Sequence, residues 1–466
     1  MNKKETEVIL QRIQKWYDRL PGLFIYDQRN FDAKYGWSKD PIPFNDRHSL
    51  DYRSIKEGDE WGGKWESAWF HLTGRVPEEW KGKSIAANLD FSGEGLVFSK
   101  DGEVIQGITN ASIWDPNFAR PRVPLIDSSK GGEDIEIWVE AAANSLFGVF
   151  TDPDPEQDNP KRHGWFDAKV ETLKFGIFDS DLWHLYLDAR ILFGLIKRLD
   201  EGSVRRSRAI LALNNCINAF CDDQSNSLKA RTCLEEELRK NSSASDLNVS
   251  AIGHAHIDTG WLWPVRETVR KCARTFATQL SIINEYPDYI FGASMPQHYQ
   301  FMKDQYPDLY ERIKDAVRSG NWELQGGMWI EADCNLISGE SMVRQLLHGK
   351  NFFKDEFDIE VDNLWLPDVF GYSAALPQIL KRAGVNYFLT QKLSWSQFNE
   401  FPHHTFNWRG IDGTEILTHF PPENTYNSEL DTEFILPAVK GFKEKDKLDE
   451  FISLFGVGNG GGGPKP

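Results

Sequence analysis

Cysteine is scarce in this sequence: five residues (Cys216, Cys221, Cys233, Cys272 and Cys334) in 466, with no pair at a CxxC spacing. That excludes a disulfide framework and a thiolate zinc site, and it suits a reducing, cytoplasmic setting. Long apolar runs are missing too, so no segment is expected to cross a bilayer as a helix. Residues Met1 to Glu7 are polar and lead into an amphipathic stretch, where a secretory leader would be apolar. The sequons at Asn110, Asn241 and Asn248 are therefore expected to be silent. Positive charge is in deficit, 53 Lys and Arg against 70 Asp and Glu, for a formal net charge of −17. Such a surface repels nucleic acid and anionic membrane, and neither is expected as a partner. Internal repeats are lacking. Low complexity is confined to the closing glycines, which have neither the GK[ST] ending nor the following helix of a phosphate-binding loop.

What remains is an ordinary globular composition, 40% hydrophobic and 26% charged, in a chain long enough for two or three domains. Residues 1–180 read as strand-rich. Apolar and polar residues roughly alternate over Ser67–Thr73, Ile135, Ile137 and Val139 alternate with Glu136 and Glu140, and Asp101-Gly102 is a hairpin dipeptide. A β-sandwich is expected there. Residues 181–245 change to a helical period: Leu182, Leu185, Tyr186, Ala189, Leu192, Phe193 and Ile196 share one face. A second helix follows over Val204–Phe220, a third ends near Lys240, and Asn241–Ser245 reads as a linker.

From 246 to 466, short apolar runs (Val249–Ile252, Tyr289–Phe291, Leu364–Leu366, Tyr387–Leu389, Ile416–Leu417) alternate with amphipathic helices. Pro264 and Pro307 open two of these helices, and Gly320 and Gly384 close two. Strand and helix in alternation predict a parallel sheet, open or closed into a barrel.

Three strings place polar chemistry at strand ends of this last region. In Gly253-His254-Ala255-His256-Ile257-Asp258-Thr259-Gly260-Trp261, His256 and Asp258 project to one side of an extended backbone and can grip one divalent cation. The plainer alternative is a hydrogen-bonded loop pair. In Leu364–Tyr372, Asp368 follows a buried strand and suits a metal ligand, a nucleophile or a helix N-cap. In Gly326–Asn335, Glu331 and Asp333 stand beside Trp329, whose ring can stack on a sugar. Acidic groups, a histidine and aromatics at several strand ends of one domain point to a site. His298, His403 and His404 read as structural, His419 and Glu423 as pocket-lining. Trp61, Trp65 and Trp69 read as sandwich core.

The strings GHAHIDTGWLWP, GGMWIEADCNLISGE, LWLPDVFGYSAALPQILKRAG and ILTHFPPENTY resemble the α-mannosidases of glycoside hydrolase family 38, in their cytosolic and bacterial branch. The resemblance runs in order along essentially the whole chain. It implies an N-terminal β-sandwich, a helical connector and a (β/α)7-type barrel, with zinc or a similar divalent metal such as cobalt or manganese bound by His256, Asp258 and Asp368. It implies retaining hydrolysis of terminal α-mannosides on mannose-containing oligosaccharides, with Asp368 as nucleophile and Trp261 under the mannose. The acid/base is not fixed by these motifs; Asp333 is the first candidate and Glu331 the second, and Trp329 and Glu331 are expected to line the substrate.

The pattern breaks at the end. The branch's loop reads GDGGGGP inside a longer protein, whereas here Asn459 stands in the acidic position and the chain closes at Pro466. The resemblance implies a further metal-binding histidine, a helical bundle and β-domains downstream. The metal is thus expected to rest on three protein ligands, more weakly held, and an uncovered apolar face is expected to favour self-association or pairing with a separate C-terminal chain. Two other readings compete: a metal-dependent polysaccharide deacetylase, which has no need of the LPDVFGYS string, and a non-catalytic glycan-binding fragment.

Overall fold

A computed structural model of the chain describes residues 3–109, 119–144, 168–240, 247–458 and 462–465. The sequons at Asn110 and Asn241, the linker Asn241–Ser245 and residues Asn459–Gly461 lie outside them.

The first region builds two antiparallel sheets. Strands β1 (Ile25–Asn30), β2 (Asp32–Ser38), β3 (Tyr52–Ser54), β4 (Ser67–Arg75), β5 (Ile85–Asp90), β6 (Glu94–Ser99), β7 (Val104–Ile108), β8 (Arg122–Ile126), β9 (Asp134–Ala142) and β10 (Thr172–Phe178) divide between them. The order is β3-β2-β4-β9-β6-β7 in one sheet and β1-β10-β5-β8 in the other. The expected hairpin is β6–β7, turning at Asp101-Gly102 with Gly102 at φ +94°, where a Cβ would be strained. Ala68, Phe70, Leu72, Val139, Leu89 and Phe175 fill the space between the sheets.

The alternation in Ser67–Thr73 nevertheless does not mark a wet face. Trp69, Leu96, Phe98 and Trp138 point out of the sandwich and are buried all the same: residues 42–52 cover Trp69 and Trp138, and a helix from the third region lies over β6 and β7. Trp61 sits in the sandwich core as read from the sequence, whereas Trp69 belongs to this second core between the units.

Helix α1 (Lys3–Arg19) does not pack on the sandwich. Its Ile13 and Trp16 join α2 (Ser180–Arg198), α3 (Val204–Phe220), α4 (Ser227–Thr232) and α5 (Glu235–Leu238) in a third core. The helical unit is therefore drawn from both sides of the sandwich, and the third expected helix is two short ones. Asp179 caps α2 by accepting from the Leu182 N–H. Of the seven residues read as the apolar face of α2, six are buried in that core and Tyr186 is half-buried against it.

The third region alternates as expected: β11 (Asn248–His254), α6 (Val265–Glu285), β12 (Phe291–Ala293), α7 (Pro296–Gln305), α8 (Pro307–Ser319), β13 (Trp322–Leu324), α9 (Gly339–Phe357), β14 (Asn363–Leu366), α10 (Leu376–Arg382), β15 (Tyr387–Thr390), β16 (Thr405–Arg409), β17 (Glu415–His419), α11 (Thr432–Gly441) and β18 (Glu450–Phe455). The strands form two four-stranded sheets. β13-β12-β11-β18 is wholly parallel, and β14-β15-β17 is parallel with β16 antiparallel at its edge. Among the described residues no ladder joins the two sheets. Single parallel bridges lie where their ends approach, Cys334 to Tyr372 and Ser428 to Phe455.

Helix α6 is the hinge of the architecture. It covers the outer face of the six-stranded sheet on one side and packs against β12, α7 and α8 on the other, so it is buried around its circumference. Its polar residues survive burial by pairing. Lys271 Nζ lies 2.6 Å and Arg274 Nη2 3.1 Å from Glu94 Oε2, and Arg270 contacts Glu140 at 2.8 Å and Glu267 at 2.9 Å. β7 comes so close that a Cβ at Gly107 would stand 2.5 Å from the Arg274 carbonyl oxygen. Among the described residues no helix is long and apolar enough to cross a membrane.

Candidate active site

β11 is flanked on both edges by parallel strands, which buries its C-terminal end and the first residues that leave it, Ala255, His256 and Ile257. His254 closes the strand. Both its ring nitrogens lack hydrogen-bond partners, and burial followed by the charge of His256 pushes its pKa down to about 3. It is a neutral packing group between Trp365 and Tyr426.

Two residues on, His256 faces the interior of the third region. Its Nε2–H donates to Glu331 Oε2 at 2.5 Å, and its Nδ1 lies 3.8 Å from Asp368 Oδ2. A carboxylate only accepts, so Glu331 fixes the proton on Nε2 and leaves the lone pair of the neutral ring on Nδ1, toward Asp368. Burial alone would depress the His256 pKa; Glu331 first, then Asp258 and Asp368, outweigh it and lift it to about 10. Asp258 moves the other way from the usual carboxylate. Burial, with added repulsion from Asp368 and Glu331, raises it to about 6 against the pull of His256.

Asp368 arrives from β14 on the neighbouring sheet. Its backbone N–H donates to Glu331 Oε1 at 2.8 Å, so one glutamate ties both His256 and Asp368 into place. Its Oδ1 lies 2.6 Å from Lys392 Nζ. Lys392 leads the short turn after β15, and its ammonium stands over the rings of Trp395 at 3.2 Å, Phe370 at 4.7 Å and Tyr426 at 5.3 Å.

One nitrogen of His256 and one oxygen each of Asp258 and Asp368 lie within 4.8 Å of one another. A nitrogen and two hard oxygens suit zinc, cobalt or manganese, and three protein donors leave room for a further ligand. Cation binding must displace the His256 proton below about pH 10 and a second, from Asp258, below about pH 6. The affinity for zinc is therefore expected to rise about tenfold per pH unit in the neutral range, and more steeply in acid. Calorimetric titration at several pH values checks this; a pH-independent affinity would exclude these two groups as donors.

The other residues singled out in the sequence take different places. Trp261 is half-exposed at the mouth, edge-on to buried Trp263 at 5.5 Å. Trp329 donates its Nε1–H to Gln297 Oε1 and packs edge-on to Phe352, which makes it part of the wall. Asp333 is exposed, with Oδ1 accepting the N–H groups of Asn335 and Leu336, on a loop running beside that of Asp368 through the Cys334–Tyr372 bridge. His298 is buried in the first turn of α7, where its Nε2 meets Thr259 Oγ1 at 2.9 Å and steadies the His256 loop. His419 pairs with Thr405 and His403 with Glu444. His404 and Glu423 line a separate pocket of about 270 Å³ beside α11.

Sequence reasoning missed Lys392 and the bracing by Glu331. Lys392 obeys the same rule that exposed the others, a polar residue at the C-terminal end of a buried parallel strand. A lone lysine there is ordinarily a solvated loop residue.

Residues 246–466 match the glycosyl hydrolases family 38 N-terminal domain, and residues 31–168 match the alpha-mannosidase jelly roll domain. The chain is 38% identical to alpha-mannosidase G of Dictyostelium discoideum over 99% of its own length and 43% of that protein. It is 37% identical to alpha-mannosidase 2C1 of Homo sapiens over 91% of itself and 40% of the relative. For the alpha-mannosidase of Saccharomyces cerevisiae the figures are 32%, 93% and 40%. The chain thus spans less than half the length of these relatives.

Proposed function

The chain belongs to glycoside hydrolase family 38, and on that premise we propose that it carries the catalytic centre of a retaining α-mannosidase acting on terminal α-mannosides of oligosaccharides. The observation that carries the reading is the meeting of His256, Asp258 and Asp368 from two sheets, with Glu331 bracing two of them. In the retaining course, Asp368 attacks the anomeric carbon, the glycosidic bond breaks, and its electron pair leaves on the oxygen. Asp333, on the loop alongside, is read as the group that protonates that oxygen and then takes a proton from the incoming water. Trp261, half-exposed, is read as stacking on the sugar face. A divalent cation held by His256, Asp258 and Asp368 would supply Lewis-acid stabilisation of hydroxyl oxygens on the bound mannose.

We read the two parallel sheets as arcs of a (β/α)7-type barrel. Apart from antiparallel β16, their strands follow chain order, and the isolated bridges Cys334–Tyr372 and Ser428–Phe455 fall at the two gaps. A cytoplasmic setting is supported by five cysteines, all free, three of them buried. Within this reading residues 1–180, 181–245 and 246–466 serve as sandwich, connector and catalytic unit, and oligosaccharide is the partner.

The test is hydrolysis of an aryl α-mannoside by the purified chain after chelation and after zinc is restored. Turnover that disappears with the chelator and returns with zinc or cobalt is expected. Acetate release from an acetylated sugar without mannoside turnover would instead favour a deacetylase.

A further inference from the structure

Lys392 has 3% of its side-chain surface exposed and, among the described residues, a single carboxylate contact, Asp368 Oδ1 at 2.6 Å. Three rings confine the ammonium: Trp395, Phe370 and Tyr426. Phe370 follows Asp368 by two residues, and Trp395 stands edge-on to Phe370 at 6.0 Å, so the cage is built partly from the loop it serves. The torsion that turns an aspartate carboxylate is soft and roughly two-fold, so a backbone anchor alone does not decide which oxygen points where. At Asp368 the backbone is fixed by Glu331 and the carboxylate by Lys392. With Oδ1 held at the aromatic cage, Oδ2 is the oxygen that faces His256 Nδ1, at 3.8 Å.

We propose that Lys392 is a positioning residue that keeps Oδ1 of Asp368 off the cation position, so that Asp368 meets it through Oδ2 alone. The assignment rests on the reading of Asp368 as a cation ligand. Oδ1 is enclosed against the ammonium with no accessible surface, while Oδ2 faces His256. A carboxylate free to turn can close on a cation with both oxygens. The ammonium holds one out.

Cobalt absorption tests this without turnover, because band intensity falls as the metal gains ligands and symmetry. Cobalt is added to the wild-type chain, to Lys392→Met and to Lys392→Arg, each checked for folding by circular dichroism. Lys392→Met frees Oδ1 to chelate and is expected to lose at least half of the visible absorption per bound cobalt; Lys392→Arg, which keeps the cation, is expected to retain it. Trp395→Ala removes a ring that is largely exposed and should shift the spectrum the same way to a smaller extent, which keeps the test open if Lys392→Met does not fold. Cobalt spectra identical in wild type, Lys392→Met and Trp395→Ala overturn the assignment and leave the metal site standing. No cobalt bound by the wild type overturns the metal reading, and the assignment with it.

Discussion

Asp368→Asn is expected to lose aryl α-mannoside hydrolysis by about a thousandfold or more, with the fold intact. The amide oxygen is a poor nucleophile, so the ester to the anomeric carbon does not form. The exchange also removes one of the three proposed cation donors and takes the partner from Lys392. The loss should therefore appear in kcat and in zinc affinity together, and zinc titration beside steady-state kinetics separates the two. Asp333→Ala is the informative contrast. If Asp333 moves the proton, it costs about 10²–10⁴-fold on substrates with poor leaving groups. Added azide should then restore the rate on an activated aryl mannoside, because azide needs no base. Activity of Asp368→Asn close to wild type would remove Asp368 from the reaction, and a silent Asp333→Ala would leave Asp333 as a loop cap only.

Glu94→Ala is expected to cost roughly 3–5 kcal/mol of stability, a large share of what a domain has. Its carboxylate is shared by Lys271, Arg274 and the Asn144 side-chain amide, all buried. Removing it strands two cations between the sandwich and α6. Burial already pushes the Lys271 ammonium down, with Glu94 as the leading counterweight. Glu136→Ala, which breaks a pair with partly exposed His71 at 2.9 Å, is the control and should change stability by about 1 kcal/mol or less. Urea unfolding of the two variants checks the contrast; equal costs would show that the buried network contributes no more than a surface pair.

The sequence exposed those parts of the fold and site that depend on local pattern. The face of α2 and the β6–β7 turn follow from spacing and turn residues, and His256, Asp258 and Asp368 follow from polar residues at the ends of apolar runs. What it hid depends on partners distant in sequence. Trp69, read as sandwich core, instead points out of the sandwich, where Phe44 and the Ile42 carbonyl from an earlier segment cover it. Glu331 and Asp333 are equivalent by eye. Only the approach of the β11 and β14 ends makes Glu331 the brace of His256 and leaves Asp333 at the exposed turn. Trp329 has the ring a sugar platform needs, but its indole N–H is committed to Gln297. The packing of α1 with the helices rather than the sandwich has no local mark either, since an amphipathic helix does not name its acceptor.

The burial of α6 between sandwich and parallel sheet restricts what inheritance can do with this chain. The loop bearing Asp258 and Trp261 runs directly into that helix, and the helix is charged on the side that meets Glu94 and Glu140. The third region transplanted without its sandwich would expose the apolar side of α6 and take Glu94 and Glu140 from Lys271, Arg274 and Arg270, with Glu267 of the same helix as the remaining acid beside the two arginines. Shuffling that treats the two as interchangeable modules would have to rewrite α6 at the same time. Sandwich and site are in this sense one heritable piece, and recombination points that keep both sides of α6 together are the ones that preserve chemistry.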